Sequence, residues 1–166
     1  GINFAFVNTQ SAVLKPAVIH SLIDELKLDC LALTETWIKQ SHSDAIRFDP
    51  APPGYSVHHV HRPGDVTGGG VAFVVRKELC ARPFSLIGSY PSCDVIAVQL
   101  PTSSGRLNAV TLYQPSTRSA AFCYDLQELR AEINGLPGDS IICGDFNCPS
   151  RNVKGELDNK IEDILT

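Results

Sequence analysis

Hydrophobic residues along this chain are grouped in short blocks, which predict strands that alternate with helices. Apolar runs at 2–7, 29–34 and 140–144 are too short for helices and predict buried strands. After Pro16, which suits a first helical position, apolar residues recur every three or four positions and predict an amphipathic helix. A second helix of this kind is predicted over 122–133, just before the last of these strands.

Four further strands are predicted as two antiparallel pairs. Residues 55–62 and 71–76 form the first pair, which is joined by a long glycine-rich loop. Residues 93–100 and 107–113 form the second pair, which is joined by a loop that begins at Pro101.

Polar side chains stand where the predicted strands end. They are Asn8, Glu35, Tyr113 and Asp145, with Asn147 two positions further on. Each strand–helix–strand unit makes a parallel crossover, so its two strands end at the same edge of a sheet. Ligands of open α/β sheets bind outside the carboxyl ends of the strands. We therefore expect these residues to lie close together and to form a site.

This set of side chains suits the hydrolysis of a phosphoester. A hard divalent cation prefers oxygen ligands and keeps several waters, so we expect Glu35 and Asn8 to hold Mg²⁺, with Mn²⁺ as the alternative ion. Asp145 is expected to activate the attacking water. Asn147 and Tyr113 are expected to donate hydrogen bonds to the phosphate, with Asn8 as a further substrate contact. Taken singly, each residue also has a structural explanation, such as a cap or an Asx turn.

The composition describes one ordinary globular domain over residues 1–166. The chain is 43% hydrophobic and 19% charged. Because no apolar run is long enough to cross a bilayer, we expect no membrane partner. The net charge of −4 gives no general attraction to nucleic acid, so a metal or a few cations must capture any phosphate locally. Six cysteines without a Cys-x-x-Cys pair indicate reduced thiols in an intracellular protein.

Motifs in the middle of the chain have competing interpretations. Gly68, Gly69 and Gly70 can cradle a phosphate, but no helix or Lys-Ser/Thr pair follows them, which favours a flexible turn. His59 and His61 share a predicted strand face, but no third ligand is evident, which favours solvent-facing edge histidines over a metal site. Four cations near predicted loops are expected to serve solubility rather than ligand contact: Arg62, Arg76, Lys77 and Arg118.

Five segments, among them Gly-Asp-Phe-Asn, recur here in the order in which one family carries them. They are 8–11, 33–38, 68–76, 112–116 and 144–147. As a set they resemble the endonuclease/exonuclease/phosphatase superfamily, and in particular the apurinic-type endonuclease domain of non-LTR retrotransposons. The resemblance implies a four-layer α/β sandwich of two packed mixed β-sheets flanked by helices. It also implies Mg²⁺-dependent nicking of DNA in the nucleus, where the nick supplies a primer end for reverse transcription.

The same resemblance assigns a role to each candidate residue. Asn8 and Glu35 correspond to metal-site residues of the family. Tyr113 and Asn147 correspond to phosphate contacts, and Asp145 corresponds to the residue that activates water.

One signature of the family has no counterpart here. Members close with a later strand and a Ser-Asp-His motif, whereas this chain ends at Thr166, after a short helix predicted over 157–165. We therefore expect a single domain that lacks its last strands, because it is a fragment, because it is a shortened relic, or because a partner polypeptide supplies the missing piece. The unpaired sheet edge would also favour self-association. Two alternatives keep the same scaffold: a catalytically dead binding or regulatory module, and a phosphatase for small phosphoesters or lipid headgroups.

Loss of one member of a catalytic set can lower a rate by orders of magnitude. We therefore expect this chain to nick plasmid DNA weakly or not at all, while its metal site persists. Full nicking in Mg²⁺ that depends on Glu35 would contradict this expectation.

Overall fold

The computed structural model describes residues 1–62, 64, 66–115, 120–147 and 164. The strands of this part are β1 (Phe4–Asn8), β2 (Cys30–Thr34), β3 (Tyr55–Val60), β4 (Val71–Arg76), β5 (Arg82–Pro83), β6 (Asp94–Thr102), β7 (Gly105–Tyr113) and β8 (Asp139–Asp145). The α-helices are α1 (Pro16–Glu25), α2 (Asp44–Phe48) and α3 (Ala120–Asn134), and 3-10 turns cover Ala12–Leu14 and Lys77–Leu79.

These strands form two four-stranded sheets with the orders β1-β2-β4-β3 and β5-β6-β7-β8. Parallel pairing joins β1 to β2, with Asn8 opposite Thr34, and β7 to β8, with Tyr113 opposite Asp145. The other neighbouring strands pair antiparallel. Both predicted crossovers are therefore confirmed, and with them the α/β sandwich of two mixed sheets flanked by helices.

The central strand β2 shows how the layers are built. All five of its residues are buried, because the strand has a core on each face. Cys30 and Ala32 face the other sheet and pack beside Phe73. Leu31 and Leu33 face the opposite way, into the core under α1. Burial of one such leucine stabilises the fold by roughly 2 kcal/mol.

The outer face of the second sheet is covered by α3. Phe122, Leu126, Leu129 and Ile133, the positions that predicted this helix, are fully buried against the sheet. This packing fixes the crossover from β7 to β8, so the end of β8 lies beside the end of β7.

Several predicted boundaries were wrong. The first strand of the glycine-loop pair ends at Val60, not at residue 62. Pro101 lies within β6 opposite Arg106, and Thr102 faces Gly105, so a two-residue turn replaces the predicted loop. The missing N–H of Pro101 is tolerated because β5 pairs with β6 only at Val98 and Gln99, so β6 has an open side at Pro101. The short elements α2 and β5 were not predicted. Of the helix predicted over 157–165, the described part includes only Ile164, which is helical and buried.

Strands β1 and β8 lie at the edges of their sheets on the same side of the sandwich. Within the described ranges, β1 pairs only with β2, and β8 only with β7. The expectation that another polypeptide or a second copy pairs with such an edge stays a prediction. Among the helices of the described residues, none combines the length and apolarity needed to cross a membrane.

Glu132 on α3 fastens the loop that leads into β6. Its two carboxylate oxygens accept hydrogen bonds from the backbone N–H of Ile87 (2.6 Å), the N–H of Gly88 (3.0 Å) and the hydroxyl of Tyr90 (2.5 Å). Burial by itself raises the pKa of Glu132, but these hydrogen bonds outweigh it and hold the pKa below its ordinary value.

Glu132→Gln should lower the free energy of unfolding at pH 7 by about 1–2 kcal/mol, because hydrogen bonds to a charged acceptor are replaced by weaker ones. A lowered pKa means that the ionised group stabilises the fold at neutral pH and loses this effect as the pH falls below about 4. Urea unfolding at pH 7 and below about pH 4 should therefore show that wild type and Glu132→Gln have similar free energies of unfolding in acid. Glu128→Gln, an exposed position one turn earlier, is the charge-matched control and should change little. A difference that persists unchanged in acid would contradict this account.

Candidate functional site

The four strands that end in candidate residues all end at one end of the sandwich. Asn8 is the last residue of β1, and Glu35 follows the last residue of β2. Tyr113 and Asp145 close β7 and β8 and face each other in the register. The cluster therefore draws on both sheets, as the crossover argument predicts.

Asn8 and Asp145 join the two sheets directly. The Nδ2 of Asn8 donates to Oδ2 of Asp145 at 2.7 Å, across 137 positions of sequence. The backbone N–H of Gln10 donates to Oδ1 of Asn8 at 3.1 Å, which fixes the orientation of the amide. The oxygen of the Asn8 amide and the carboxylate of Asp145 are thus held at the mouth of the sandwich.

Asp145 depends on the glycine before it. Gly144 has φ 154° and crosses so close to β7 that a Cβ there would lie 2.0 Å from the carbonyl oxygen of Leu112. Only glycine allows the strand to end in this way. The requirement explains the Gly in the Gly-Asp-Phe-Asn segment.

Glu35 is half-buried and surrounded by donors. Its Oε2 accepts hydrogen bonds from the indole Nε1 of Trp37 (2.7 Å) and from the backbone N–H of Gly69 (3.0 Å). The hydroxyl of Tyr113 lies near this carboxylate and helps to lower its pKa. Burial by itself raises the pKa of Glu35, but these donors and the nearby charge of Arg62 hold it below its ordinary value. Glu35 is therefore ionised at neutral pH.

The backbone on either side of Thr36 is strained. Glu35 and Trp37 have φ values of 54° and 56°, in the left-handed region that non-glycine residues seldom occupy. Hydrogen bonds from the N–H of Trp37 to the carbonyl of Gly69 (3.0 Å) and from that of Thr36 to the carbonyl of Gly70 (3.3 Å) hold the segment in place. Strain of about 1–3 kcal/mol per residue persists only where the surroundings enforce it, and such residues cluster at functional sites.

Tyr113 is buried at the end of β7, near both Glu35 and Asp145. Its side chain is only 7% exposed. Burial, the hydrogen bond to Glu35 and the nearby carboxylates raise the pKa of Tyr113 to about 12. The hydroxyl is therefore protonated at neutral pH and acts as a donor beside both carboxylates.

Asn147 takes part in a turn as well as in the cluster. Its backbone N–H donates to Oδ1 of Asp145 at 3.0 Å, and its Nδ2 donates to the carbonyl oxygen of Gln114. The Asx turn that was the structural alternative is thus present. Asp145 is not confined to it, because its other oxygen accepts from Asn8.

The structure brings all five predicted residues to the same end of the sandwich. Hydrogen bonds join Asn8 to Asp145 and Asp145 to Asn147, while Tyr113 lies opposite Asp145 in the strand register and near Glu35. The donors and acceptors are carboxylates, amides and a phenol, and no cluster of three or more His, Cys, Asp or Glu side chains suited to a metal occurs among the described residues.

Two expectations about the middle of the chain were wrong. The glycines form neither a plain flexible turn nor a phosphate cradle, because the N–H groups of Gly69 and Gly70 donate to the carboxylates of Glu35 and Asp94. Arg62 is not a solvated lone cation, since its Nε lies 2.9 Å from Oδ2 of Asp94 and its guanidinium stacks on Tyr113.

Arg76, also expected to be a solvated cation, forms an ion pair with Asp29 at 2.9 Å at the other end of the first sheet. Lys77 is exposed, as expected, and Arg118 lies outside the described residues. The pairing of Arg62 and Arg76 could not be read from the sequence, because their partners are 32 and 47 positions away.

The histidines also differ from the expectation. His58 and His59 are half-buried in the edge strand β3, and His61 lies beyond its end. Burial lowers the pKa of both His58 and His59. The ring centroid of His59 lies 6.1 Å from that of Phe48 and 6.3 Å from that of His61. His59 therefore packs on α2 rather than facing solvent.

The two mixed β-sheets with flanking helices match the fold of solved endonuclease and phosphatase structures. The chain belongs to the Endonuclease/Exonuclease/phosphatase family, whose model matches residues 5–163.

Three relatives illustrate the range of similarity. The RNA-directed DNA polymerase from mobile element jockey of Drosophila melanogaster is 26% identical over 129 residues, which are 78% of this chain and 13% of that protein. The endonuclease domain of TRAS1, a telomere-specific non-LTR retrotransposon, has a TM-score of 0.70 at 14% identity and is matched over 96% of this chain and 67% of that one. A 3′ phosphatase, NExo from Neisseria, bound to product DNA hairpin, has a TM-score of 0.63 at 20% identity, over 91% of this chain and 60% of that one. This chain thus spans about an eighth of the jockey protein.

Asn8→Asp would place a second carboxylate within hydrogen-bonding distance of Asp145. Two like charges there should lower the stability at pH 7 by about 1 kcal/mol, or roughly 2–4 °C in the unfolding midpoint. The repulsion raises the pKa of one carboxyl, so stability should recover as acid protonates it. Thermal unfolding in EDTA between pH 7 and pH 4 measures this.

The control for Asn8→Asp is Asn8→Ser, which loses the hydrogen bond without adding charge and should show no such recovery. An Asn8→Asp protein as stable as wild type at pH 7 would mean that the two side chains do not meet.

Proposed function

We propose that this chain is a DNA endonuclease domain that nicks phosphodiesters with the help of a divalent cation, Mg²⁺ or Mn²⁺. The observation that carries the proposal is that Glu35 and Asp145, from different sheets, lie at the same end of the sandwich with Asn8, Tyr113 and Asn147. The similarity to the jockey polymerase and to the TRAS1 endonuclease domain supports a role in a non-LTR retrotransposon. Such a role would place its action on chromosomal DNA in the nucleus.

The donor set of the cluster fits a hard divalent cation. The available ligand atoms are carboxylate and amide oxygens, which Mg²⁺ prefers, and one or two protein ligands suffice because this ion keeps several waters. Glu35 is ionised, and its backbone is held in place by hydrogen bonds. The Oδ1 atom of Asn8 accepts from the N–H of Gln10 and retains a second lone pair for the ion. Glu35 and Asn8 would hold the ion. When bound, it would polarise the phosphoryl oxygens and stabilise the leaving oxygen.

Asp145 is placed to orient and deprotonate a water. Its Oδ2 accepts from Asn8 and its Oδ1 accepts from the N–H of Asn147, so both oxygens are oriented while lone pairs remain for a water. General base assistance of this kind typically contributes a factor of about 10²–10⁴ in rate.

Tyr113 and Asn147 supply hydrogen bonds to the phosphate. Tyr113 keeps its proton at neutral pH because its pKa is raised to about 12. The amide of Asn147 carries two N–H bonds, of which one goes to Gln114, so the second can donate to a phosphoryl oxygen. Donors that are fixed before the reaction stabilise the charge that builds up in the transition state.

A nicking assay on supercoiled plasmid tests the proposal. We expect conversion to open circles that requires Mg²⁺ or Mn²⁺ and falls at least about 100-fold in Glu35→Gln and in Asp145→Asn. Asp24→Asn, which removes an equal charge from the exposed face of α1, is the matched control and should nick like wild type.

Other outcomes of this assay decide between the alternatives. Metal-dependent DNA binding without any nicking would contradict the endonuclease proposal and favour a binding or regulatory module. Release of phosphate from a 3′-phosphorylated oligonucleotide without nicking would instead favour a phosphatase.

A further inference from the structure

Arg62 occupies a central place in the cluster without belonging to the predicted set of site residues. Its Nε donates to Oδ2 of Asp94 at 2.9 Å, and its guanidinium carbon lies 5.3 Å from the centroid of the Tyr113 ring. The two charged side chains are only 23% and 15% exposed. A guanidinium group at this distance from an aromatic face is attracted to it by roughly 0.5–2 kcal/mol. Arg62 therefore holds the ring from one side while the hydroxyl of Tyr113 contacts Glu35.

The glycine segment ties this ion pair to Glu35. Gly70 donates its N–H to the same Asp94 oxygen at 2.8 Å, and Gly69 donates its N–H to Glu35 at 3.0 Å. A Cβ at Gly69 would lie 2.2 Å from the Nε of Arg62, so the backbone packs directly on the guanidinium. Arg62 thus contacts two of the three groups that surround the Glu35 carboxylate, namely the Tyr113 ring and the glycine segment, while Trp37 is the third.

We propose that Arg62, anchored by Asp94, is a positioning residue for the cation site. It fixes the Tyr113 ring and the Gly69 N–H, and through them the direction of the Glu35 carboxylate. This inference rests on the proposed function only in taking Glu35 as the ligand of the cation. Groups that orient a metal ligand typically change metal affinity about 10–100-fold when they are altered.

The direction in which Mg²⁺ affinity changes distinguishes a positioning role of Arg62 from an effect of its charge alone. A positive group near a cation site repels the cation, so an arginine that acted only by its charge would weaken Mg²⁺ binding, and its loss would strengthen it. Lysine keeps the charge of arginine but lacks the planar fork and the flat face that pairs with Asp94 and stacks on Tyr113. Arg62→Lys therefore removes the positioning while it leaves the charge in place.

The chain contains a matched control for this substitution. Arg76 pairs with Asp29 through Nε at the same 2.9 Å, and its guanidinium carbon lies 5.2 Å from the Tyr55 ring centroid. This second unit has the same chemistry and geometry but lies at the opposite end of β4. Arg76→Lys should therefore report the general cost of such a change to the fold.

Trp37 provides the readout, because it is the only tryptophan of the chain and its indole Nε1 donates to Glu35. Two measurements are made on wild type, Arg62→Lys and Arg76→Lys. The first is the position of the single indole N–H resonance in ¹⁵N-correlated NMR spectra without metal. The second is a Mg²⁺ titration followed by tryptophan fluorescence, with Glu35→Gln to define the binding that depends on Glu35.

We expect Arg62→Lys to shift the indole resonance and to weaken Mg²⁺ binding by about 10-fold. Arg76→Lys should do neither. Asp94→Asn, which removes the anchor of Arg62 and weakens the acceptor of Gly70, should resemble Arg62→Lys and serves as the second variant if Arg62→Lys folds poorly.

An unshifted indole resonance with wild-type Mg²⁺ affinity in Arg62→Lys would overturn the inference. Equal effects of Arg62→Lys and Arg76→Lys would also overturn it, since they would reflect general loosening of the fold. Wild-type protein without Glu35-dependent Mg²⁺ binding would instead count against the proposed function. The metal-free resonance would still decide whether Arg62 orients the Glu35 network.

Discussion

A half-buried carboxylate sets the main constraint on this end of the molecule. Glu35 is partly removed from water, and an ionised group there is stable only if donors replace the lost hydration. Trp37, Gly69 and Tyr113 supply those donors, which is why the pKa of Glu35 lies below its ordinary value although burial raises it. The strained backbone at Glu35 and the absence of a side chain at Gly69 follow from the same requirement. The hydrogen-bond donors that stabilise the charge of Glu35 therefore shape the site as much as the strand topology does.

Strand topology explains why a second carboxylate is available at the same place. Parallel pairing of β1 with β2 and of β7 with β8 sends four strand ends to one end of the sandwich. The Asn8–Asp145 hydrogen bond then joins the edge strands of the two sheets. An Asx turn at Asn147 holds Asp145 at the same time, so structural and functional interpretations of this segment are compatible. Residues that stabilise the strand end also orient the groups proposed for catalysis.

The sequence revealed the parts of this arrangement that depend on local pattern. Short apolar blocks and helical spacing were enough to predict both crossovers and to bring Asn8, Glu35, Tyr113 and Asp145 together. Arg62 and Asp94 were missed, because a charge pair between distant positions leaves no periodic signal. The burial of His59 was missed for a similar reason, since its face of β3 is covered by α2, a helix too short to predict from its pattern. Only the three glycines offered a local sign of close packing, and they are also common in plain turns.

We propose that residues from four strand ends surround one cation, which Glu35 and Asn8 hold. Addition of Mn²⁺ to ¹⁵N-labelled protein tests it most directly, because this paramagnetic ion broadens the resonances of nearby nuclei. The account predicts selective broadening of the amides of Asn8, Glu35, Gly69 and Asp145 and of the Trp37 indole, with competition by Mg²⁺. Broadening centred on His58, His59 and His61 instead, or at the end of β1 without the end of β8, would contradict it.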